Sequence, residues 1–310
     1  MNNIKIVFMG TPVFGKEILK CLVENDYNVV AVVTQPDKKT GRKQIITPCP
    51  VKQYAVEMGI EVLQPKRIKD DFQNILALNA DLIVTCAYGQ LIPNQLLTAP
   101  RLGCINVHAS LLPKLRGGAP IQRSIINGYN ETGITIMEMV SKMDAGDIIS
   151  QKGIEIDIND TYSSLHDKLI GIATTLLIET MPAIIDQSYI PIRQNEKEVT
   201  YGFNISFKEE HIDLTKTYME VYNQIRGLSA DPCCYGIVEA KKVKLHTVRI
   251  TDIYYEKENG TIVFEGKGLG IIIDNRLLLI EILQCEGRKL CSAIAARNGV
   301  ARNWEGKVMC

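Results

Sequence analysis

The sequence predicts an α/β fold: a Rossmann-like, mostly parallel sheet with helices on both faces, followed by a small C-terminal β-barrel of the OB-like kind. Three observations predict it. An apolar run at Ile4–Met9 leads through a glycine turn into a helical pattern and then into a second apolar run at Val29–Val33, which is a βαβ start. Leu82–Ala87, LIVTCA, is continuously apolar between Asp81 and Tyr88-Gly89, as a central parallel strand covered on both faces must be. Beyond residue 207 one helix is followed by five short strands, the order of a small barrel or sandwich. A length of 310 residues fits about two domains. They are expected at 1–189 and 208–310, joined by a linker at 190–207 that is polar, holds Pro191 and lacks helical period.

In order, the first helix carries Phe14, Ile18, Leu19, Leu22 and Val23 on one side. The turn before it spaces its glycines G-x-x-x-x-G, Gly10 to Gly15, with Pro12 between. That is not the dinucleotide spacing, and a turn able to accept a ligand anion is the better reading. Thr34 to Pro50 reads as a long loop holding Lys38, Lys39, Arg42 and Lys43 around Gly41. Two readings stay open for it: a cationic lid over a phosphate or nucleic-acid end, or a solvated flexible loop. A helix at Pro50–Met58, a strand at Glu61–Leu63 and a helix at Asp70–Leu78 follow. The loop Tyr88-Gly89-Gln90-Leu91-Ile92-Pro93 is apolar enough to line a pocket, and equally suited to packing.

The chain is organised around Cys104 to Pro120, CINVHASLLPKLRGGAP. Its first five residues alternate as a strand, so Asn106 and His108 leave the same face. An amide and an imidazole at the carboxyl end of a strand lie where α/β sheets bind ligands; a buried histidine satisfied by a backbone carbonyl is the plain alternative. Ser110 to Pro113 is apolar, Arg116-Gly117-Gly118 reads as flexible and cationic, and a helix starts at Ala119 with Pro120 in its first turn. Thr132–Met139 is an edge or mixed strand. The turn after it, VSKMDAGD, holds Asp144 and Asp147, which could bind a metal, cap the turn or aim one carboxylate inward. A strand at Ile148–Ile156 and a long helix at Asp160–Ile185 complete the first domain, with His166 on that helix as a surface or structural residue. In the second domain a helix at Thr215–Leu228 precedes strands at Tyr235–Glu239, Lys241–Ile250, Thr261–Glu265, Gly270–Ile273 and Leu277–Gln284. On the second of these, Lys242, Lys244 and His246 share one face, while Lys241, Val243, Leu245 and Thr247 share the other.

Composition narrows the class. Residues 1–190 carry 18 Lys+Arg against 19 Asp+Glu, and residues 191–310 carry 17 against 16, so neither half is a basic domain. Local basic patches remain possible. No apolar run approaches the roughly 18 residues of a membrane span. No signal peptide is expected. The nine cysteines include no C-x-x-C pair, and Cys86 and Cys104 sit in strand-like runs, which favours reduced buried thiols in a cytoplasm over disulfides or zinc.

With these residues in view, nearly the whole chain resembles the methionyl-tRNA formyltransferase family. The pieces are Thr34-Gln35-Pro36-Asp37 with Gly41-Arg42, Pro50-Val51-Lys52, Ala87-Tyr88-Gly89, Leu102 to His108, Ser110 to Pro113, Arg116-Gly117, Ala119 to Arg123, and Met143 to Asp147. The Asn-x-His, Ser-Leu-Leu-Pro and Asp-x-Gly-Asp set marks the formyltetrahydrofolate-using class as a whole. The basic loop and the Ala-Pro-Ile-Gln helix start point to the tRNA enzyme. The resemblance implies 10-formyltetrahydrofolate as formyl donor, no metal, methionyl-initiator tRNA as acceptor, no membrane and a monomer. It implies that Asn106, His108 and Asp144 are the catalytic trio. Ser110, Leu111, Leu112 and Pro113, with Tyr88 and Gly89, would meet the folate. Lys38, Lys39, Arg42 and Lys43 would meet the acceptor end of the tRNA. Apart from the resemblance, the shared strand face of Lys242 and Lys244 reads as a cationic ladder suited to tRNA phosphates, with an ordinary solvated face as the alternative. The chain departs from the pattern at Asp231-Pro232-Cys233-Cys234, where the family places a tryptophan between prolines, and over Cys291 to Cys310.

Formyl transfer is acyl transfer to an amine: the amine attacks the formyl carbon, an oxyanion develops on the formyl oxygen, and protons leave one nitrogen and reach another. Asn106 can donate to that oxyanion. His108 can donate to it or relay a proton, and Asp144 can orient the imidazole. No Ser or Cys nucleophile is needed. A formyltransferase on another amine, such as an amino-sugar nucleotide or a purine precursor, would share this first domain without needing the basic loop.

Overall fold

The computed structural model describes residues 4–41 and 44–310, Thr40 by its backbone alone; the predicted tRNA-contacting Arg42 and Lys43 lie outside the described residues. The chain divides into two compact units. The first runs to Pro120 and takes in 132–154 and 166–203; the second takes in 121–131, 155–165 and 204–310.

The first unit is built on a seven-stranded sheet, ordered β5-β2-β1-β6-β7-β8-β9. Its strands are β1 (Ile6–Gly10), β2 (Val29–Val33), β5 (Glu61–Leu63), β6 (Leu82–Cys86), β7 (Cys104–His108), β8 (Glu131–Glu138) and β9 (Ile148–Glu155). The run from β5 to β7 is parallel, and β8 lies antiparallel on β7. Every residue of β1 and of β6 is buried, as the apolar runs require when both sheet faces are covered. The order shows where the chain reverses: it leaves β1 towards β2 and β5, then returns to β6 and β7 on the other side. That switch point, at the carboxyl ends of the strands, is where such sheets hold ligands.

Helix α1 (Val13–Glu24) buries Phe14, Gly15, Ile18, Leu19 and Leu22, one face at helical spacing. Helices α2 (Pro50–Glu57), α3 (Gln73–Ala77), α4 (Asn94–Thr98) and α5 (Pro120–Ile126) are short. The expected loop at Thr34–Pro50 contains a hairpin instead, β3 (Lys38–Thr40) antiparallel to β4 (Ile45–Thr47). Its prolines and glycine read as loop, yet Gly41 at φ +65° supplies the turn and Ile45-Ile46-Thr47 has the β-branched character that pairing favours.

Helix α6 (Tyr162–Ile185) is long and apolar enough to cross a membrane by length and composition, contrary to the expectation that no stretch would be. Its buried residues Leu165, Leu169, Ala173, Leu176, Leu177, Met181 and Ile184 recur at three- and four-residue steps. That is the stripe of a helix packed by one face, with Asp167, Lys168 and Glu179 elsewhere on it.

In the second unit, helix α7 (Tyr218–Gly227) starts with a capping box, Thr217 with Glu220. Strands β10 (Tyr235–Val238), β11 (Lys241–Arg249), β12 (Ile262–Glu265), β13 (Gly268–Ile273) and β14 (Arg276–Cys285) form an antiparallel sheet ordered β10-β11-β14-β13-β12. The short β15 (Cys291–Ser292) pairs with β14 and leads into α8 (Ala293–Asn298). The last residues join the two edges of this sheet. Ile237 at one edge exchanges backbone hydrogen bonds with Cys310, and at the other edge Ile262 donates to Lys307 while Met309 donates to Gly260. Trp304 and Met309 are buried with the sheet, so the atypical C-terminal end is part of its core. Cys233 and Cys234 are fully buried in place of the expected tryptophan, and burial pushes the Cys233 thiol up to about 11. On β11 the alternation is interrupted by a bulge around Thr247. Val243, Leu245 and then Val248 are buried, and Thr247 leaves the face expected for it.

Candidate active site

Strand β7 ends in the site. It is paired with β6, Thr85 opposite Asn106, and with β8, His108 opposite Thr135. Asn106 is half-buried and its side-chain oxygen accepts a hydrogen bond from the Thr85 hydroxyl at 2.8 Å. A hydroxyl donating to Oδ1 leaves the amide nitrogen of Asn106 as the free, donating end.

His108 is 6% exposed. Its Nε2 lies 3.0 Å from the carbonyl of Leu115, an atom that only accepts, so Nε2 carries the proton in the neutral ring. Nδ1 faces the Asp144 carboxylate at 3.8 Å, near enough for charge attraction and too far for a direct hydrogen bond. The plain alternative, a histidine satisfied by a carbonyl, therefore accounts for one ring nitrogen only. The same Asp144 oxygen accepts from the backbone N–H of Gly117 at 2.8 Å. Asp144 has φ +48°, a left-handed conformation that aspartate tolerates better than most side chains. Asp147 does not join this cluster; its carbonyl accepts from the Glu138 N–H. Among the described residues no group of three His, Cys, Asp or Glu could hold a metal ion.

Between Gly117 and Asp144 lies a network that composition conceals. Arg116, read from sequence as flexible and cationic, is fully buried. Its Nε and Nη2 donate to Gln194 Oε1 at 3.0 and 2.8 Å, and Nη2 also donates to Glu196. Arg116 and Lys142 hold the Glu196 carboxyl down at about 2. Gln194, within the expected linker, is 5% exposed.

The loop expected to meet the folate is held from inside. The Ser110 hydroxyl donates to the Lys114 carbonyl, and the Thr135 hydroxyl donates to the Ser110 carbonyl. Leu112 packs with Met137 and Ile148, while Gln151 donates to its carbonyl. Leu111 and Pro113 are half-buried, and Leu111 reaches over Gly133, where any Cβ would meet both it and the Lys152 carbonyl. On the neighbouring strand end, Tyr88 is buried with its hydroxyl unpartnered, and burial pushes that phenol up to about 12. Its carbonyl accepts from Thr11 and Gln35, and Gly89 follows at φ +86°.

Lys38 and Lys39 are exposed on the β3 arm of the hairpin. Below them Lys52 pairs with Asp37 at 2.7 Å and holds that carboxyl below its usual range, with Gln64 bonded to both. In the second unit Lys242 Nζ lies 3.4 Å above the Tyr235 ring, and Lys244 donates to the Pro232 carbonyl. The expected face is thus cationic, with each ammonium also engaged locally. His166 meets the Phe14 ring edge-on, a packing role. Sequence reasoning missed Thr85 and Gln194. A threonine inside an otherwise apolar buried strand was the available signal for the first; nothing local marked the second.

The family described as formyl transferase matches residues 3–181, and the one described as formyl transferase, C-terminal domain, matches residues 204–300. The methionyl-tRNA formyltransferase of Bacillus thuringiensis (strain Al Hakam) is 50% identical over 293 residues, 93% of each chain. That of Bacillus cereus (strain AH187) is 49% identical over the same span. Among solved structures, the sugar 3N-formyl transferase WlaRD, crystallised in the presence of dTDP and 5-N-formyl-THF, superposes with a TM-score of 0.68 at 19% identity, covering 93% of this chain and all of that one. HypX of Aquifex aeolicus in complex with tetrahydrofolic acid does so at 0.68 and 14%, covering 98% of this chain and 48% of that one. These two likenesses speak for the fold alone. Half identity along nearly the full length says more: the chain belongs to the formyl transferase family, and within it to the methionyl-tRNA formyltransferases.

Proposed function

We propose that the protein transfers the formyl group of 10-formyltetrahydrofolate to the amino group of methionyl-initiator tRNA, giving the formylated initiator for translation. The observation that carries this reading is the cluster of Asn106, His108 and Asp144 at the carboxyl end of β7. The amine of the methionyl ester attacks the formyl carbon, a new C–N bond forms, and the bond to the folate nitrogen breaks. Negative charge develops on the formyl oxygen. The Asn106 amide donates to it, in a half-buried setting where such a donor is worth most. His108 Nδ1 is the ring position free to gain and lose a proton. It takes the proton that leaves the amine, or donates to the same oxygen, and the proton ends on the departing nitrogen. Asp144 keeps Nδ1 facing its carboxylate.

The residues suit a folate. The Ser110–Pro113 loop is held by hydrogen bonds from Ser110, Thr135 and Gln151 and carries the half-buried Leu111 and Pro113, and Tyr88, anchored in the sheet's core, fixes the start of the Gly89 loop beside it. Residues 1–189 carry the chemistry in this reading. Residues 208–310 add tRNA contacts through Lys242 and Lys244, and 190–207 connects the two. The protein works as a monomer in the cytoplasm, a compartment that suits its unbridged thiols. The test is direct: with labelled formyl donor, label should appear on charged initiator tRNA. Label released as formate without an acceptor would make it a hydrolase instead.

Transfer to a small amine is the second reading. The exposed Lys38-Lys39 hairpin weighs against it, since a small acceptor needs no cationic arm. Competition between charged tRNA and amino-sugar nucleotides separates the two.

A further inference from the structure

Gln194 sits far from the catalytic motifs in sequence, and its four hydrogen bonds divide between a buried arginine and one turn. Its Oε1 accepts two from Arg116; its Nε2 donates to the backbone carbonyls of Asp144 at 2.9 Å and Gly146 at 2.7 Å. This amide has one possible orientation. A guanidinium only donates, so it must face Oε1; backbone carbonyls only accept, so they must face Nε2. Arg116, held without exposure to solvent, thereby sets the direction in which Gln194 donates.

The turn it holds is tight. Asp144 is in the left-handed region, and a Cβ on Gly146 would run into the Glu138 carbonyl oxygen. Losing either Gln194 bond would also leave a carbonyl of a partly buried turn unmatched. The Asp144 side chain meanwhile reaches back to the Gly117 N–H, the residue after Arg116. Arg116-Gly117 therefore grips Asp144 from both ends: through Gln194 at the carbonyl, and directly at the carboxylate.

We propose that Gln194 is a positioning residue for Asp144, fixing the turn so that the carboxylate faces His108 Nδ1. This rests on the reading of Asp144 and His108 given above. It predicts that a change at Gln194 behaves as a mild loss of Asp144 and not as a general loss of stability.

The discriminating variant is Gln194→Glu. It keeps an acceptor for Arg116 but has no donor for the two carbonyls. Its kcat should fall about 10- to 100-fold, the range for losing a contact that orients a reacting group, while KM for folate and for charged tRNA stays within about twofold. The near-neutral limb of its kcat–pH profile should move in the same direction as that of Asp144→Asn. Added to Asp144→Asn, it should cost less than about threefold more, because the two act through one contact. Glu196→Gln is the control: it alters the same buried arginine and the exposed Lys142 pair but leaves both Gln194 bonds to the Asp144 and Gly146 carbonyls in place, and should leave kcat and the pH profile as they are. If Gln194→Glu does not fold, Gln194→Met, which removes both donors in a similar volume, takes its place in each comparison. A normal kcat and pH profile at position 194 overturns the inference. So does full additivity with Asp144→Asn, or an equal loss in Glu196→Gln. Should Asp144→Asn itself turn over normally, the reading of the site fails first, and this one with it.

Discussion

The hydroxyl of Thr85 stands 2.8 Å from the side-chain oxygen of Asn106, its partner across β6 and β7. Thr85 is 2% exposed, and its single proton can serve one of three acceptors, of which Asn106 Oδ1 is the nearest. Replacing it with Val keeps the shape and removes that anchor, so the Asn106 amide is free to turn its oxygen towards developing negative charge. Thr85→Val should lower kcat by about 10-fold, less than the roughly 10²–10³ for a lost oxyanion donor. Thr85→Ser should retain most of the rate. Steady-state kinetics of the two, side by side, decide it; equal rates would remove Thr85 from the site.

Asn106→Ala, His108→Ala and Asp144→Ala should each act mainly on kcat, because each acts on charge or protons that exist only during transfer. For Asn106 the loss should be on the order of 10²–10³, that of one oxyanion donor. Single-turnover formylation isolates the chemical step. Near wild-type turnover in any one of them would take that residue out of the mechanism.

How much of this was legible in the sequence depends on range. The β7 stretch announced itself because strand alternation is local: Asn106 and His108 had to share a face, and Asp144 stood in a turn of its own. Gln194 could not be seen, because its bonds to Arg116 and Asp144 cross 78 and 50 positions and the surrounding residues 186–207 are polar without period. Arg116 reads as flexible and cationic because two glycines follow it and nothing near it in sequence neutralises it. Its partners come from Gln194 and Glu196. The hairpin at Lys38–Thr47 was hidden by prolines and glycine, which mark loops and hairpin turns alike.

The hairpin should serve the tRNA and not the folate. Lys38 and Lys39 are exposed, while the loop that suits the folate, Ser110–Pro113, is held through Thr135 and Gln151. Replacing Lys38 and Lys39 with Ala, or Arg42 with Ala, should raise KM for charged tRNA or lower its turnover, with folate affinity unchanged. A shifted folate dissociation constant beside normal tRNA kinetics would contradict this.

Acid sensitivity has a specific contributor in the second unit. Arg123 bonds the Glu209 carboxylate, and with the Ser206 N–H and hydroxyl it holds that carboxyl down at about 2. A depressed carboxyl stabilises the fold above its unfolded value, near ~4.3. That contribution is lost as pH falls from there towards 2. Glu209 is 41% exposed on its side chain, so solvent screens the effect and it should be small. Glu209→Gln should lower Tm at neutral pH slightly and flatten the fall of Tm between about pH 4.5 and 2. Parallel Tm–pH curves would show that the pair is neutral to stability.

The face of β11 carrying Lys242 and Lys244 should add tRNA affinity without taking part in the chemistry. Lys242 lies over Tyr235 and 5.2 Å from the ring of Phe207, which is itself 71% exposed, so a cation and an open aromatic surface stand together. Lys244 spends one donor on the Pro232 carbonyl and keeps others. Ammonium groups placed this way suit phosphates, which supply affinity and orientation but no reading of bases. Each phosphate contact releases counterions, so affinity should weaken with salt. Replacing both lysines with Ala should weaken tRNA binding and flatten the log–log salt slope by roughly 1–2, at ~0.7–0.9 per contact. Turnover at saturating tRNA should change little. Because the chain carries no net charge, the slope of the intact protein should itself be shallow, and two lysines form a large share of it. Tyr235 and Phe207 keep their places when the lysines are shortened, so a drop in affinity with an unchanged slope would assign the surface to aromatic stacking instead. Equal affinity and parallel slopes would leave Lys242 to its aromatic neighbours and Lys244 to its carbonyl, with no part in binding.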